Sequence, residues 1–594
     1  MRPSTAAADC ATLPLNPIPE EPRGHVRYHA LACDYDGTLA EDGTAREETL
    51  AALARLRESG RRTVLVTGRE LPDLRRAFDR FDLFDRVVAE NGAVLYRADK
   101  REEKVLAEPP SPEFVKALRA AGVSPLSVGR VVVATTEPHE KAVLDVIHRQ
   151  GLELHVVFNK GSVMVLPSGN NKAKGLAAAL AELCLSFHEV VGIGDAENDH
   201  AFLAECECAV AVASALPAVR ERADLVTSGG AGRGVVELVE RLLEDDLADV
   251  APRLGRHDLD VGVRPGGEVV RIPAYGVNVL VAGTPGGGKS TFASSILERL
   301  MEARRQFCIV DPEGDYPSLE GAVVLGDENR VPSVDEVLDL LAKPERNGVV
   351  DLLGIELDGR PAFFETLFPR LVEMRSRTGR PHWIVIDETH HLLPAPANAD
   401  QVLPRELEGL MLLTVHPDHV APALLSLVDL IVVAGTESGK TLETFSKALG
   451  IAPPRVRTGE LEPGALIGWW HRQATPPFLF RSIPPQAERR RHIRKYAAGE
   501  LKPERSFYFQ GPEGKLNLRA HNLTMFVQLG EGVDDETWMH HLRRGDYSDW
   551  MRRCIKDEAL AAAVAAVEAG PNQSPQETRR RIRELIEDRY TAPA

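Results

Sequence analysis

The stretch HALACDYDGT, residues 29–38, sets a run of small and apolar residues directly before two aspartates, Asp34 and Asp36. Such a run reads as a buried strand, and its polar end is where an open α/β sheet presents chemistry. Two aspartates two apart on a strand face the same side, so one carboxylate can attack phosphorus while the other delivers or removes a proton. ETLAALARLRESG (48–60) follows with helical spacing stopped by Gly60, and RRTVLVTGR (61–69) is a second buried strand ending at Thr67. This alternation predicts a parallel α/β sheet.

Further polar groups arrive in order along the chain. Thr67 offers a hydroxyl to a phosphoryl oxygen, and Lys172 in PSGNNKAKGL (167–176) offers a cation, with Lys174 as the neighbouring alternative. GIGDAENDH (192–200) puts Asp195 and Asp199 one helical turn apart beside Asn198, a pairing suited to Mg²⁺. With ENGA (90–93) and VAVASALPAVRERADLVT (210–227), this segment resembles the Cof-like, sucrose-phosphatase-like branch of the haloacid dehalogenase superfamily, over roughly 28–247. The resemblance implies a Rossmann-like core, an aspartyl-phosphate at Asp34, general acid/base work by Asp36, and Thr67 and Lys172 on the phosphate. It also implies Mg²⁺ held among Asp34, Asp36, Asp195 and Asp199, and an inserted α/β cap at about 86–160 that selects a small phosphorylated substrate. Ser214 stands where relatives often have Asn.

A second αβ series begins near Val277. GTPGGGKST (283–291) follows the apolar run VNVLVA and precedes a helical stretch, the setting a phosphate cradle needs. Gly283, Gly286, Gly287 and Gly288 bring backbone amides to the phosphates of ATP, Lys289 reaches the outer phosphates, Ser290 suits Mg²⁺ and Thr291 completes the motif. WIVIDETHHLLP (383–394) supplies the acidic strand end, with Asp387 for the metal shell and Glu388 to orient an attacking water. His390 and His391 read as packing residues, and GTESGKT (435–441), with too few residues between its glycines, as a loop. The order of VDPEGDY (310–316), VIDETHHLLP, LLTVHPDHV (412–420) and LIVVAGTES (430–438) resembles the HerA/FtsK class of P-loop ATPases. That resemblance implies Asp311 or Glu313 near the nucleotide, Thr414 on a sensor strand, and a homo-oligomer, a hexameric ring in form, with an arginine from a neighbour; Arg455 and Arg457 are the candidates.

The domain plan that follows is a tail at 1–27, the phosphatase-like module at 28–247, a linker or remnant β segment at 248–273, the P-loop module at 274–485 and a mainly helical domain at 486–594. In the last, SPQETRRRIRELIEDRY opens with a capping-box signature at Ser574 and Glu577, and Trp538, Tyr547 and Trp550 read as core aromatics. Basic residues number 71 against 88 acidic in a chain of 594, a net charge of −17, which argues against a protein that coats nucleic acid over its whole surface. The basic runs at 488–495 and 579–583 read as solvated faces. The seven scattered cysteines predict reduced thiols and a cytoplasmic location, and no apolar run reaches membrane-spanning length. The expected function is a Mg²⁺-dependent phosphatase of a sugar phosphate or nucleotide fused to an ATP-hydrolysing module. The alternative is a nucleic-acid-processing or defence translocase with an end-dephosphorylating domain.

Overall fold

The computed structural model describes residues 26–284, 287–317, 319–394, 407–435, 437–456, 464–473, 475–485, 501, 503–555, 557–570 and 574–590. The expectations for residues 1–25, Gly286, Arg457 and the basic run 488–495 lie outside these. Contacts group the chain into two compact units, one within Met1–Lys289 and Arg299–Ser482, the other within Ser290–Glu298 and Ile483–Ala594.

The first unit contains an eight-stranded sheet whose order is Leu225–Val226, Cys208–Ala211, Val190–Gly194, Ala30–Asp34, Arg62–Val66, Arg86–Ala89, Val94–Arg97 and Glu102–Val105. The strands from 225 to 89 in that order are parallel, and the last two are antiparallel additions. Ala30–Asp34 lies between Val190–Gly194 and Arg62–Val66, so Asp34, Thr67 and Asp195 all emerge at one edge.

The cap begins later than the expected 86. Residues 86–105 pair into the main sheet, Arg86–Ala89 and Val94–Arg97 as buried strands and Glu102–Val105 as its exposed edge, and the separate four-stranded antiparallel sheet runs from Ser127–Val128 to Ser162–Pro167. Helices Pro112–Ala120 and Glu140–Gln150 bury Phe114, Leu118, Val143, Val146 and Ile147 in the core they share with this sheet.

The same unit holds an eleven-stranded sheet. Its parallel part has Leu410–Thr414 between Val279–Gly283 and Trp383–Ile386, with Phe307–Asp311 beyond. The expected linker contributes Leu259–Val263 and Val269–Ile272 as an antiparallel edge pair on this sheet, so the remnant-β reading describes 259–272. Residues 435–441 differ from the loop expected there: Ser438 starts a helix that runs to Leu449, and Lys440 points to solvent beside Glu437.

A buried charged cluster joins the two sheets' modules. Glu207, 0% exposed, accepts from Arg305 at 2.7 and 2.9 Å, from Arg27 at 2.5 Å and faces His188 Nδ1 at 2.9 Å. Burial raises the Glu207 carboxyl, but Arg305, His188 and Arg27 outweigh it and hold the group well below the usual range. Nearby, His382 Nε2 meets Glu189 at 2.6 Å while its Nδ1 accepts the Gln306 amide, so the ring is neutral with its proton on Nε2. Arg27, the end of the expected tail, is thus anchored. Cys33, Cys206, Cys208 and Cys308 are buried free thiols, and Cys554 is a partly buried one.

The second unit pairs Phe507–Phe509 with Leu518–Ala520 and adds helices from Leu523–Gly532 to Pro575–Tyr590. Trp538, Tyr547 and Trp550 are buried around Phe507 and Phe526, as core aromatics should be. Glu577 N bonds Ser574 Oγ, and Arg579, Arg580 and Arg583 are each paired with acidic side chains. Among the described residues no helix is long and apolar enough to cross a membrane.

Candidate active site

Asp34 ends its strand 4% exposed, and beside it stands Lys172, 1% exposed, on the first turn of helix Lys172–Glu182. The ammonium donates to Asp34 Oδ1 and Asp199 Oδ1, each at 2.5 Å. Lys172 reaches this depth because the helix start presses on the ENG turn. A Cβ on Gly92 (φ +99°) would lie 1.9 Å from Asn171 O, and one on Gly175 would lie 2.4 Å from Val88 Cγ1, so both positions exclude larger residues. Lys174, the alternative cation, is exposed.

Asp199 also accepts the Asp195 and Ala196 amides through Oδ2, both at 2.9 Å, which folds GDAEND into a tight turn. Asp34, Asp195 and Asp199 each offer an oxygen within 4.8 Å of the others, a donor set that fits a hard divalent cation. Burial first, and the Asp199 charge second, raise the Asp34 carboxyl; Lys172 opposes them, and the net direction is upward. Lys172 is raised in turn, because Asp199 and Asp34 outweigh its burial.

The Asp36 carboxylate stands apart from this trio. Arg69 holds it in a two-pronged contact, Nε to Oδ2 at 2.8 Å and Nη2 to Oδ1 at 2.6 Å, so its carboxylate is not among the grouped metal ligands as expected. Only its backbone oxygen turns inward. Thr67, fully buried, accepts the Arg69 amide at 3.1 Å and lies one strand from Asp34. Ser214 Oγ accepts the Ala231 amide at 3.2 Å, a loop contact.

The residues not anticipated are Arg69, Glu90 and Lys160. Glu90, fully buried, accepts the amides of Arg130, Val131 and Val132 at 2.8–2.9 Å and so ties the cap's entry to the core. Lys160, at the tip of a cap hairpin, reaches Asp195 Oδ2 at 2.7 Å and Asp36 O at 2.9 Å. Arg69 follows the TG pair directly, the one adjacency that could have drawn attention to it.

Comparison with known proteins decides what this geometry belongs to. Residues 31–121 and 127–239 match the haloacid dehalogenase-like hydrolase family. A phosphoglycolate phosphatase of Methanothermobacter thermautotrophicus is 31% identical over 223 residues, which span 36% of this chain and 98% of that protein. The chain belongs to the haloacid dehalogenase-like hydrolases. A second phosphoglycolate phosphatase, from Aeropyrum pernix, is 29% identical over 234 residues, 37% of this chain and 95% of its own length. A haloacid dehalogenase-like hydrolase structure from Bacteroides thetaiotaomicron aligns with TM-score 0.33 and 20% identity over 36% of this chain and 100% of its own. The matched residues contain the buried trio and Lys172.

The residues expected to form a P-loop lie apart from this cluster, with Asp387 and Glu388 facing the Lys289 charge. A Cβ on Gly283 (φ +141°) would meet Ala434 O at 2.0 Å, and Gly288 has φ +106°, so the turn depends on glycine at both. Lys289, 8% exposed, donates to Gly283 O at 3.1 Å, and Ser290 and Thr291 open the helix that follows. Burial lowers the Lys289 ammonium, while Glu388, Asp387, Glu313 and Asp315 oppose that shift. Burial, with Glu388 adding its charge, pushes Asp387 up to about 7. Glu388 sits at φ +36°, strained for a side-chain-bearing residue, and its Oε2 is buried without a hydrogen bond. Asp311 accepts the amides of Glu313, Gly314 and Tyr316 and shapes its loop, while Glu313 is half exposed. Thr414 Oγ1 contacts His390 Nδ1 at 3.1 Å, which makes His390 a packed partner, and Arg455 is exposed.

Replacing Lys172 by Met leaves Asp34 and Asp199 without their shared ammonium. The Asp34 carboxyl, already raised, then rises further above its unfolded value, so folding takes up protons and stability falls as pH rises. The urea midpoint of Lys172→Met, measured against pH, should recover as pH drops below neutrality; an equal deficit at every pH would contradict this.

Proposed function

We propose that the hydrolase module is a Mg²⁺-dependent phosphomonoesterase for a small phosphorylated metabolite, working through an aspartyl-phosphate on Asp34. The observation that carries this reading is the buried Lys172 ammonium shared by Asp34 and Asp199 beside Asp195. An Asp34 carboxylate oxygen bonds to phosphorus as the ester P–O bond breaks, and Asp36 gives its proton to the leaving oxygen. Asp36 then takes a proton from water, whose oxygen bonds to phosphorus as the Asp34–phosphorus bond breaks, releasing inorganic phosphate. Lys172 and the Thr67 hydroxyl stabilise charge on the transferring group, and Asp36 leaves its two-pronged contact with Arg69 to carry the proton. Mg²⁺, when bound among Asp34, Asp195 and Asp199, neutralises the phosphoryl oxygens. The relatives' names make phosphoglycolate the first compound to test, with sugar phosphates and nucleotides next.

The same proposal assigns ATP binding and hydrolysis to the second module. Its support is the shared sheet edge of Gly283 and Asp387, with the Leu410–Thr414 strand between theirs, and the Glu388 carboxylate held at positive φ beside the Lys289 charge. Self-association into a ring belongs to this reading.

Asp34→Asn should lose phosphate release by roughly 10³-fold or more on the best substrate of such a panel, with the circular dichroism spectrum unchanged. Near-normal release by that variant would remove Asp34 from the chemistry. Lys289→Ala should abolish ATP binding, whereas Glu388→Gln should keep binding and stop hydrolysis. Equal loss of binding in both, measured by calorimetry, would contradict the separate roles.

A further inference from the structure

Strands Leu154–Asn159 and Ser162–Pro167 pair antiparallel with Asn159 opposite Ser162, which leaves Lys160 and Gly161 as a two-residue turn. Their φ angles are +48° and +82°, and both residues of a type I′ hairpin turn need the left-handed region. Glycine adopts it freely; a lysine there is held at some cost, and such outliers collect where a side chain has a task.

The Lys160 ammonium crosses from the cap to the core and donates to Asp36 O and Asp195 Oδ2, at 2.9 and 2.7 Å. Space around it is tight, since a Cβ on Gly37 would lie 2.4 Å from both Lys160 Nζ and Asp195 Oδ2. The other cluster oxygens have different keepers. Asp34 Oδ1 and Asp199 Oδ1 are held by the buried Lys172, and Asp199 Oδ2 by two backbone amides. Lys160, by contrast, is 45% exposed and can swing into water.

We propose that Lys160 is a tethered counter-cation that competes with Mg²⁺: the ammonium and the metal ion draw on the same Asp195 carboxylate, so loading the metal expels the hairpin tip. This rests on the Mg²⁺-dependent phosphatase reading. Magnesium takes oxygen ligands at about 2.0–2.1 Å in near-octahedral geometry and leaves no room for an ammonium on the same atoms. Two positive charges that close also repel. The contact therefore ties the cap's position to the metal: with Lys160 on Asp195 the hairpin tip is drawn in, and the ion pushes it out. It also supplies positive charge to Asp195 that Mg²⁺ would otherwise have to bring.

The test is calorimetric titration of MgCl₂ into the full chain, without substrate, for the wild type, Lys160→Met and Lys160→Arg. Removing a half-exposed competing ion pair should tighten Mg²⁺ binding by up to about 5-fold in Lys160→Met. Lys160→Arg, which keeps the charge, should stay near the wild type. The rise in melting temperature at a fixed, subsaturating Mg²⁺ concentration should follow the same ranking, larger in Lys160→Met. Binding of equal or weaker affinity in Lys160→Met overturns the inference while leaving the Mg²⁺ reading intact. Failure of all three proteins to bind Mg²⁺ overturns both.

Discussion

The phosphatase half depends on one constraint, the burial of three carboxylates within reach of one another. Asp34, Asp195 and Asp199 are each no more than 4% exposed, and like charges so placed cannot all ionise without compensation. Lys172 supplies the charge from within and two backbone amides supply hydrogen bonds. The rest of the module can be understood as what it takes to bring these groups to one point. Parallel strands deliver Asp34 and Asp195 to the same sheet edge, and Gly92 and Gly175 let the Lys172 helix approach. A site so compensated is prepared for the extra negative charge of a phosphoryl group.

The same strand that presents Asp195 begins after Glu189, and the next begins after Glu207. Those two carboxylates join the second α/β module at the edge opposite the Asp34 cluster, roughly 17 Å away along a five-residue strand. The attachment leaves the catalytic edge and its cap unobstructed. It also explains why two α/β modules that read as separate in sequence form one compact unit: breaking the join would leave Arg305 and Arg380, both 1% exposed, without counter-charge.

Much of the site was legible because its chemistry is written in short, ordered motifs. Asp34, Lys172, Asp195 and Asp199 come together as their spacing and the resemblance implied, and the P-loop turn needs its glycines at 283 and 288. What stayed hidden depends on contacts distant in sequence. Arg69 claims the Asp36 carboxylate, and Lys160 arrives from the cap, 35 residues from Asp195. The cap starts later than 86 because pairing between strands distant in sequence, Arg62–Val66 with Arg86–Ala89 and onward, assigns 86–105 to the main sheet. The Gly- and Pro-rich stretch near 260 left linker and β segment both open, and pairing, with a bulge between Asp260 and Gly262, shows the edge strands.

The central claim is that Asp34 carries the phosphoryl group. Rapid quenching during turnover, followed by borohydride reduction and peptide mass analysis, converts an aspartyl-phosphate to homoserine and marks its position. The account predicts substrate-dependent conversion confined to the peptide containing Asp34. Reduction at another residue, or steady phosphate release with no trapped adduct under conditions that trap a known aspartyl-phosphate, would contradict it.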